Sequence, residues 1–181
     1  MVSWTIAGTL AVERAVDRPD LLGEPVAKAL ESIQQRELIG VAPIDPELAD
    51  TAAFCAEYGS PLEASANCVV VAGKRSGAER FAACLVLATT RADVNGIVRR
   101  RLDVRKASFA PMDTAVDLTN MAYGGITPIG LPDTWPLLID SVVADLPELV
   151  IGSGIRASKL LIPGPVLAAL PNAEVIEGLG Q

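Results

Sequence analysis

Two apolar runs separated by a short polar break constrain the fold more than any other part of the sequence. Asn67–Gly73 (Asn-Cys-Val-Val-Val-Ala-Gly) and Phe81–Thr89 (Phe-Ala-Ala-Cys-Leu-Val-Leu-Ala-Thr) are rich in strand-favouring residues. Between them Lys74–Glu79 carries Gly77, so the pair reads as an antiparallel hairpin. Both runs are apolar almost throughout instead of alternating, as expected for strands buried on two faces.

The flanking sequence predicts a mixed α/β domain. Strands are expected at Trp4–Val12, Leu38–Ile44, Ala107–Ala110, Leu137–Ile139, Leu149–Ile151 and Lys159–Ile162. Pro25–Arg36 has helical spacing in Val26, Leu30 and Ile33. A second helix is expected from Asp45, as N-cap, to Tyr58, with Gly59 stopping it. Asp93–Leu102, Pro111–Met121 and a short turn or helix at Pro163–Leu170 complete the elements. No repeat, linker or low-complexity tract interrupts the 181 residues, which are expected to form a single domain.

Composition narrows the chemistry. There is no histidine, which removes Ser–His and Cys–His nucleophile pairs and the commonest transition-metal ligand. Cys55, Cys68 and Cys84 form no CxxC pair and read as small buried hydrophobes. No metal site and no cofactor is expected. No apolar run approaches the roughly 18 residues that span a bilayer, and the N-terminus lacks a basic segment followed by a long apolar one. A soluble cytoplasmic protein without a membrane partner is the expectation.

The formal net charge of −7 hides a segregation. From Lys74 to Lys106, nine cations face only Glu79, Asp93 and Asp103, a surplus of six that leaves −13 on the remainder. Such a basic segment on an acidic body can hold a few phosphates locally, and an ordinary solvated helix face is the alternative.

Met121-Ala-Tyr-Gly-Gly-Ile-Thr-Pro-Ile-Gly-Leu-Pro132 stands apart from these elements. Adjacent Gly124 and Gly125 let a ligand approach the backbone, and Pro128 and Pro132 stiffen the far side. Such a loop offers oriented backbone groups suited to an oxyanion or small ligand. A tight turn between two elements is the plainer reading.

Taken together, Asn67–Val71, Arg105-Lys-Ala-Ser108, Tyr123-Gly-Gly-Ile-Thr-Pro-Ile-Gly130, Leu138-Ile-Asp140 and Ile151-Gly-Ser-Gly154 resemble the YbaK family. These are the free-standing and prolyl-tRNA synthetase-associated editing domains that deacylate mischarged tRNA. The resemblance covers roughly residues 45–175, leaving about 45 residues as an N-terminal extension. It implies a curved mixed sheet with flanking helices. It also implies that Gly124, Gly125, Ile126, Thr127 and Pro128 form the loop that positions the aminoacyl ester, while the substrate's own terminal ribose hydroxyl assists the attacking water. Asp140 matches the family's strand-end aspartate, a candidate catalytic group or a loop cap. Gly152, Ser153 and Gly154 match a second glycine loop flanking the substrate pocket, or a plain turn.

One position departs from the pattern. Where the family carries a lysine that contacts the terminal tRNA phosphate, this chain has Asn67. A neutral hydrogen bond contributes about 0.5–1.5 kcal/mol against about 1.5–3 for a charged one, so the change amounts to about tenfold in binding or rate. Lys74, Arg75 or Lys106 could substitute, the protein could bind without catalysis, or the substrate could have changed. The resemblance implies a trans-editing aminoacyl-tRNA deacylase, with the tRNA acceptor end meeting Lys74, Arg75, Arg99, Arg100, Arg101, Arg105 and Lys106, and a synthetase as a further partner. The alternatives are a catalytically inactive module that binds aminoacyl-tRNA, an amino-acid derivative or a protein, and a hydrolase of small free esters or amides. A thiol nucleophile at Cys68 lacks a histidine to activate it.

Overall fold

The computed structural model describes residues 2–181. The described strands are β1 (Glu13–Arg14), β2 (Gly40–Pro43), β3 (Ala66–Arg75), β4 (Ala78–Leu87), β5 (Ala107–Phe109), β6 (Leu137–Asp140), β7 (Leu149–Gly152), β8 (Ser158–Ile162) and β9 (Ala173–Ile176). They form two sheets, ordered β1-β2-β8-β7 and β5-β3-β4-β6-β9. The first is antiparallel. In the second, β3 runs antiparallel to β4 and β5, while β4–β6 and β6–β9 are parallel. A parallel bridge from Ser65 to Val150 joins the start of β3 to β7 of the other sheet. The fold is mixed α/β and open.

The hairpin forms as expected, in register from Ala66 opposite Leu87 to Arg75 opposite Ala78. Its two-residue turn places Ser76 at φ 52° and Gly77 at φ 80°, the left-handed pair that matches strand twist. Ala82 to Val86 of β4 are all buried, on alternating faces. Ala83 and Leu85 enter the principal core, whereas Ala82, Cys84 and Val86 enter a second core on the opposite face. This is why the strand reads as a continuous apolar run.

The helices are α1 (Glu24–Leu30), α2 (Thr51–Tyr58), α3 (Arg99–Leu102), α4 (Met112–Thr119), α5 (Ser141–Asp145) and α6 (Gly164–Ala168). Residues of α1, α5 and α6 close the principal core between one face of each sheet. The α3 segment covers the second core, and α2 packs Phe54 against Ala42, Val150 and Leu161 on the outer face of the first sheet.

Several expected elements differ. Trp4–Val12 is a series of turns, not a strand: Gly8 adopts φ 56° and the Leu10 N–H bonds the Ala7 carbonyl, so the apolar side chains pack without extended backbone. The helix expected to reach Arg36 ends at Leu30, after which i→i+3 bonds from Ser32 and Ile33 tighten the chain. The helix expected from Asp45 is split. Asp45 accepts only from Glu47 N–H around a 3-10 turn, and Asp50 restarts the chain by accepting from Ala52 and Ala53 N–H. Gly59 ends α2 at φ 71°, as expected. Before α3, both Asp93 carboxylate oxygens bind the N–H groups of Gly96 and Ile97, opening a wide π turn at Val94–Val98. The sequence reading did not anticipate β1, α5 or β9.

Candidate active site

A cleft of about 450 Å³ opens where the two sheets meet. Its walls come from the start of α2, the start of β3, the end of β7, the first glycine loop and the segment leading into β8. Phe54, Cys68, Val69, Ile126, Val150 and Ile151 supply apolar surface.

The two glycine loops, 29 residues apart in sequence, are locked together by backbone. Gly154 N–H donates to Gly125 C=O at 2.7 Å, and Ala122 N–H donates to Gly154 C=O at 2.9 Å. A Cβ on Gly125 would stand 2.6 Å from Ile155 O, and one on Gly152 would stand 2.7 Å from Gly125 O. These glycines are required by the close approach of two main chains. The N-terminal extension backs the lock: Gly23 N–H donates to Ser153 C=O at 2.9 Å, and Gly23 lies against Gly154 so closely that neither admits a Cβ.

This packing sorts the candidate residues. Asn67, Gly124, Ile126 and Gly152 line the cleft. Gly125 is buried behind it and spends its N–H on Ala122 C=O, so it shapes the wall and does not donate into it. Thr127 and Pro128 are buried outside the lining. Ser153 is buried and its Oγ is engaged with Ser158 Oγ at 2.7 Å and with the carbonyls of Ile155 and Ser158. Gly154 faces Gly23 and Val26. Asp140 likewise does not line the cleft: it is buried at the end of β6, and its Oδ2 accepts from Gly180 N–H at 3.2 Å. The cap reading fits that position.

The polar groups in the cleft are few. Thr51 Oγ1 donates to Asn67 Oδ1 at 2.9 Å, which leaves the Asn67 amide N–H groups for a ligand. Two cations that sequence reasoning missed also line the cleft. Arg156 gives Nη1 to Tyr123 C=O at 3.1 Å and Nη2 to Pro46 C=O at 3.0 Å. Gly124, at φ 78°, lies beside it, and a Cβ there would stand 2.7 Å from Nη1. Lys159 is 7% exposed, stands opposite Gly152 in the β7–β8 ladder, and donates from Nζ to Ala49 C=O at 2.9 Å. Its ammonium lies 5.5 Å from the centre of the Phe54 ring. Burial lowers the Lys159 pKa from its ordinary value, with Cys55 and Asp50 opposing the shift and Arg156 reinforcing it. The signal for Lys159 was a charge inside an otherwise apolar strand; for Arg156 it was a cation just after a glycine loop.

Cys68 lines the cleft, but burial and the nearby Cys84 push its thiol well above the ordinary range, and burial pushes Cys84 up to about 12. Neither is a thiolate at neutral pH. The described residues contain no group of three His, Cys, Asp or Glu side chains placed to hold a metal ion.

The basic segment lies elsewhere. Lys74 is seven residues along β3 from Asn67, about 23 Å at the usual rise, and Lys106 adjoins Ala107, which pairs with Gly73. Lys74, Arg75 and Lys106 therefore cannot replace a cation at position 67. Arg75 and Arg80 share Asp103, and Arg101 forks onto Glu174. Lys74, Arg99, Arg100, Arg105 and Lys106 form no ion pair among the described residues.

The fold and chain agree with known proteins. A protein provisionally described as a trans-editing enzyme for prolyl tRNA synthetase aligns with TM-score 0.72 and 20% identity, covering 88% of this chain and 96% of that one. A hypothetical protein aligns with TM-score 0.74 and 17% identity, covering 87% and 100%. A scaffold used for computational grafting of linear epitopes aligns with TM-score 0.73 and 20% identity, covering 88% and 97%. At these identities the likeness is one of fold. No curated protein matches the chain significantly. The aminoacyl-tRNA editing domain matches residues 45–170, a span that holds both glycine loops, Asn67 and Lys159, and the chain belongs to this editing-domain (YbaK) family.

Proposed function

We propose that the protein is a trans-editing aminoacyl-tRNA deacylase that hydrolyses the ester of a mischarged tRNA in the cleft walled on one side by the two locked glycine loops, without a metal ion. The observation that carries this reading is the combination of editing-domain membership with a walled cleft that holds two cations and the Asn67 amide, its one carboxylate, Asp50, capping α2. The Asn67 amide and the two cations can hold the oxygens of an aminoacylated tRNA end, and Phe54, Ile126 and Ile151 can shelter a small side chain. As water adds to the ester, negative charge grows on the carbonyl oxygen, and fixed donors stabilise it without reorganising. The chain has no histidine, and the substrate's free ribose hydroxyl relays the proton: it accepts one from the attacking water and gives its own to the ribose oxygen that departs as the acyl C–O bond breaks. A tRNA acceptor end is the partner, met outside the cleft by the exposed cations of the Lys74–Lys106 segment. A cytoplasmic site of action beside a synthetase fits this chemistry.

The test is release of amino acid from a panel of mischarged tRNAs, with wild type, Asn67→Ala and Gly125→Val side by side. Faster release than the uncatalysed rate for at least one pair is expected, with both variants impaired. Release at the uncatalysed rate across the panel would overturn the reading. The uncharged Asn67 favours a second one, a module that binds aminoacyl-tRNA without turnover; retained tRNA binding with no release would point to it.

A further inference from the structure

Lys159 is the cation that is buried among the described residues, and its neighbours do not explain it. Its backbone sits in β8, between Ala42 of β2 and Gly152 of β7, inside an otherwise apolar strand. Of its three N–H groups, one is assigned to Ala49 C=O. A neutral side chain would pack there at less cost, since a buried ammonium without a counter-ion is expensive. Neither Lys159 nor Arg156 forms an ion pair among the described residues; the cleft's carboxylate, Asp50, caps α2 through Oδ1 and favours the charged form of Lys159 only from beyond ion-pair distance. Arg156 lines the same hollow and works against protonation of Lys159, so two like charges are held facing one space. Both are tied to main-chain carbonyls, which fix their direction without neutralising them. Such an arrangement is preorganised for an anion.

We propose that Lys159, assisted by Arg156, forms an oxyanion-binding subsite on the wall of the cleft, beside Gly152. Its ligand is either the terminal phosphodiester of the tRNA end or the carboxylate of an acidic amino acid esterified to it. The identity of that ligand rests on the deacylase reading; the existence of the anion subsite does not. On this account the charge missing at Asn67 is delivered from β8, across the same cleft, and the exposed basic segment takes no part in it.

Calorimetric binding separates the two sources without requiring turnover. The dinucleotide CpA is compared with adenosine, and glutamate with glutamine, using wild type, Lys159→Met and Arg156→Gln, with melting curves to confirm folding. Wild type is expected to prefer the anionic member of one pair by about tenfold, the difference between a charged and a neutral hydrogen bond. A preference for CpA assigns the phosphodiester, and one for glutamate assigns the side-chain carboxylate. Lys159→Met should abolish that preference and Arg156→Gln should reduce it. No preference in wild type, or a full preference in folded Lys159→Met, would overturn the proposal. If Lys159→Met fails to fold, an unchanged preference in Arg156→Gln overturns it and a reduced one supports it. Anion preference in a protein that releases no amino acid would leave the subsite standing and remove the deacylase.

Discussion

The cleft and the hairpin–α3 region both concentrate positive charge, and they hold it in opposite ways. In the hairpin region the cations are numerous and exposed, and Arg75, Arg80 and Arg101 are spent on Asp103 and Glu174. Exposed pairs of this kind contribute about 0–1 kcal/mol and are screened by salt. In the cleft there are two cations, one of them 7% exposed, and neither faces a paired carboxylate. A charge out of water acts through a lower effective dielectric, so buried Lys159 is worth more to a bound anion than a cation on the surface. Number distinguishes the hairpin region; burial distinguishes the cleft.

The largest expected effect separates shape from charge. Gly125→Val drives side-chain atoms into the Ile155 backbone, which cannot move without opening the glycine-loop lock. Amino-acid release should fall by more than about a hundredfold, on the scale of losing positioning in a catalytic site. Normal release by that variant would remove the loop from the mechanism. Next comes the surface. Replacing Arg100, Arg105 and Lys106 together by Gln should weaken tRNA binding and lower the slope of log affinity against log salt by about 2–3, since each phosphate contact contributes about 0.7–0.9. An unchanged slope would mean that the hairpin region does not meet the tRNA.

Much of this contrast was not legible in the sequence. The hairpin was, because two uninterrupted apolar runs around a Gly77 turn leave little choice. The two glycine loops were visible as compositions, but their lock was not, because it depends on a backbone bond between Gly125 and Gly154 that no local pattern encodes. The basic segment was conspicuous because nine cations fall between Lys74 and Lys106, and it drew the tRNA assignment to residues outside the cleft lining. Lys159 was hidden by its setting, a lone charge in a strand counted as core. Asp140 sat at the expected strand end, yet its side chain turns to Gly180. The apolar content of Trp4–Val12 was real, but Gly8 bends it out of any strand.

Two smaller effects sharpen the comparison. Asn67→Lys should raise release by less than about threefold in wild type but by about tenfold in the Lys159→Met background, because the two positions would then compete to supply one charge. Equal gains in both backgrounds would show that the two side chains serve different groups. Asp140→Asn should leave release within about twofold while lowering stability by about 1 kcal/mol, the scale of one weakened buried hydrogen bond. A large loss of release without a change in melting temperature would return Asp140 to the site.

The most direct test is the rate of amino-acid release from one mischarged tRNA by wild type, Lys159→Met and the Arg100/Arg105/Lys106→Gln variant, each at low and high salt. The account predicts that Lys159→Met loses about tenfold or more at either salt, whereas the surface variant loses its activity mainly as salt rises. Full activity in a folded Lys159→Met, with a salt-independent collapse in the surface variant, would contradict it.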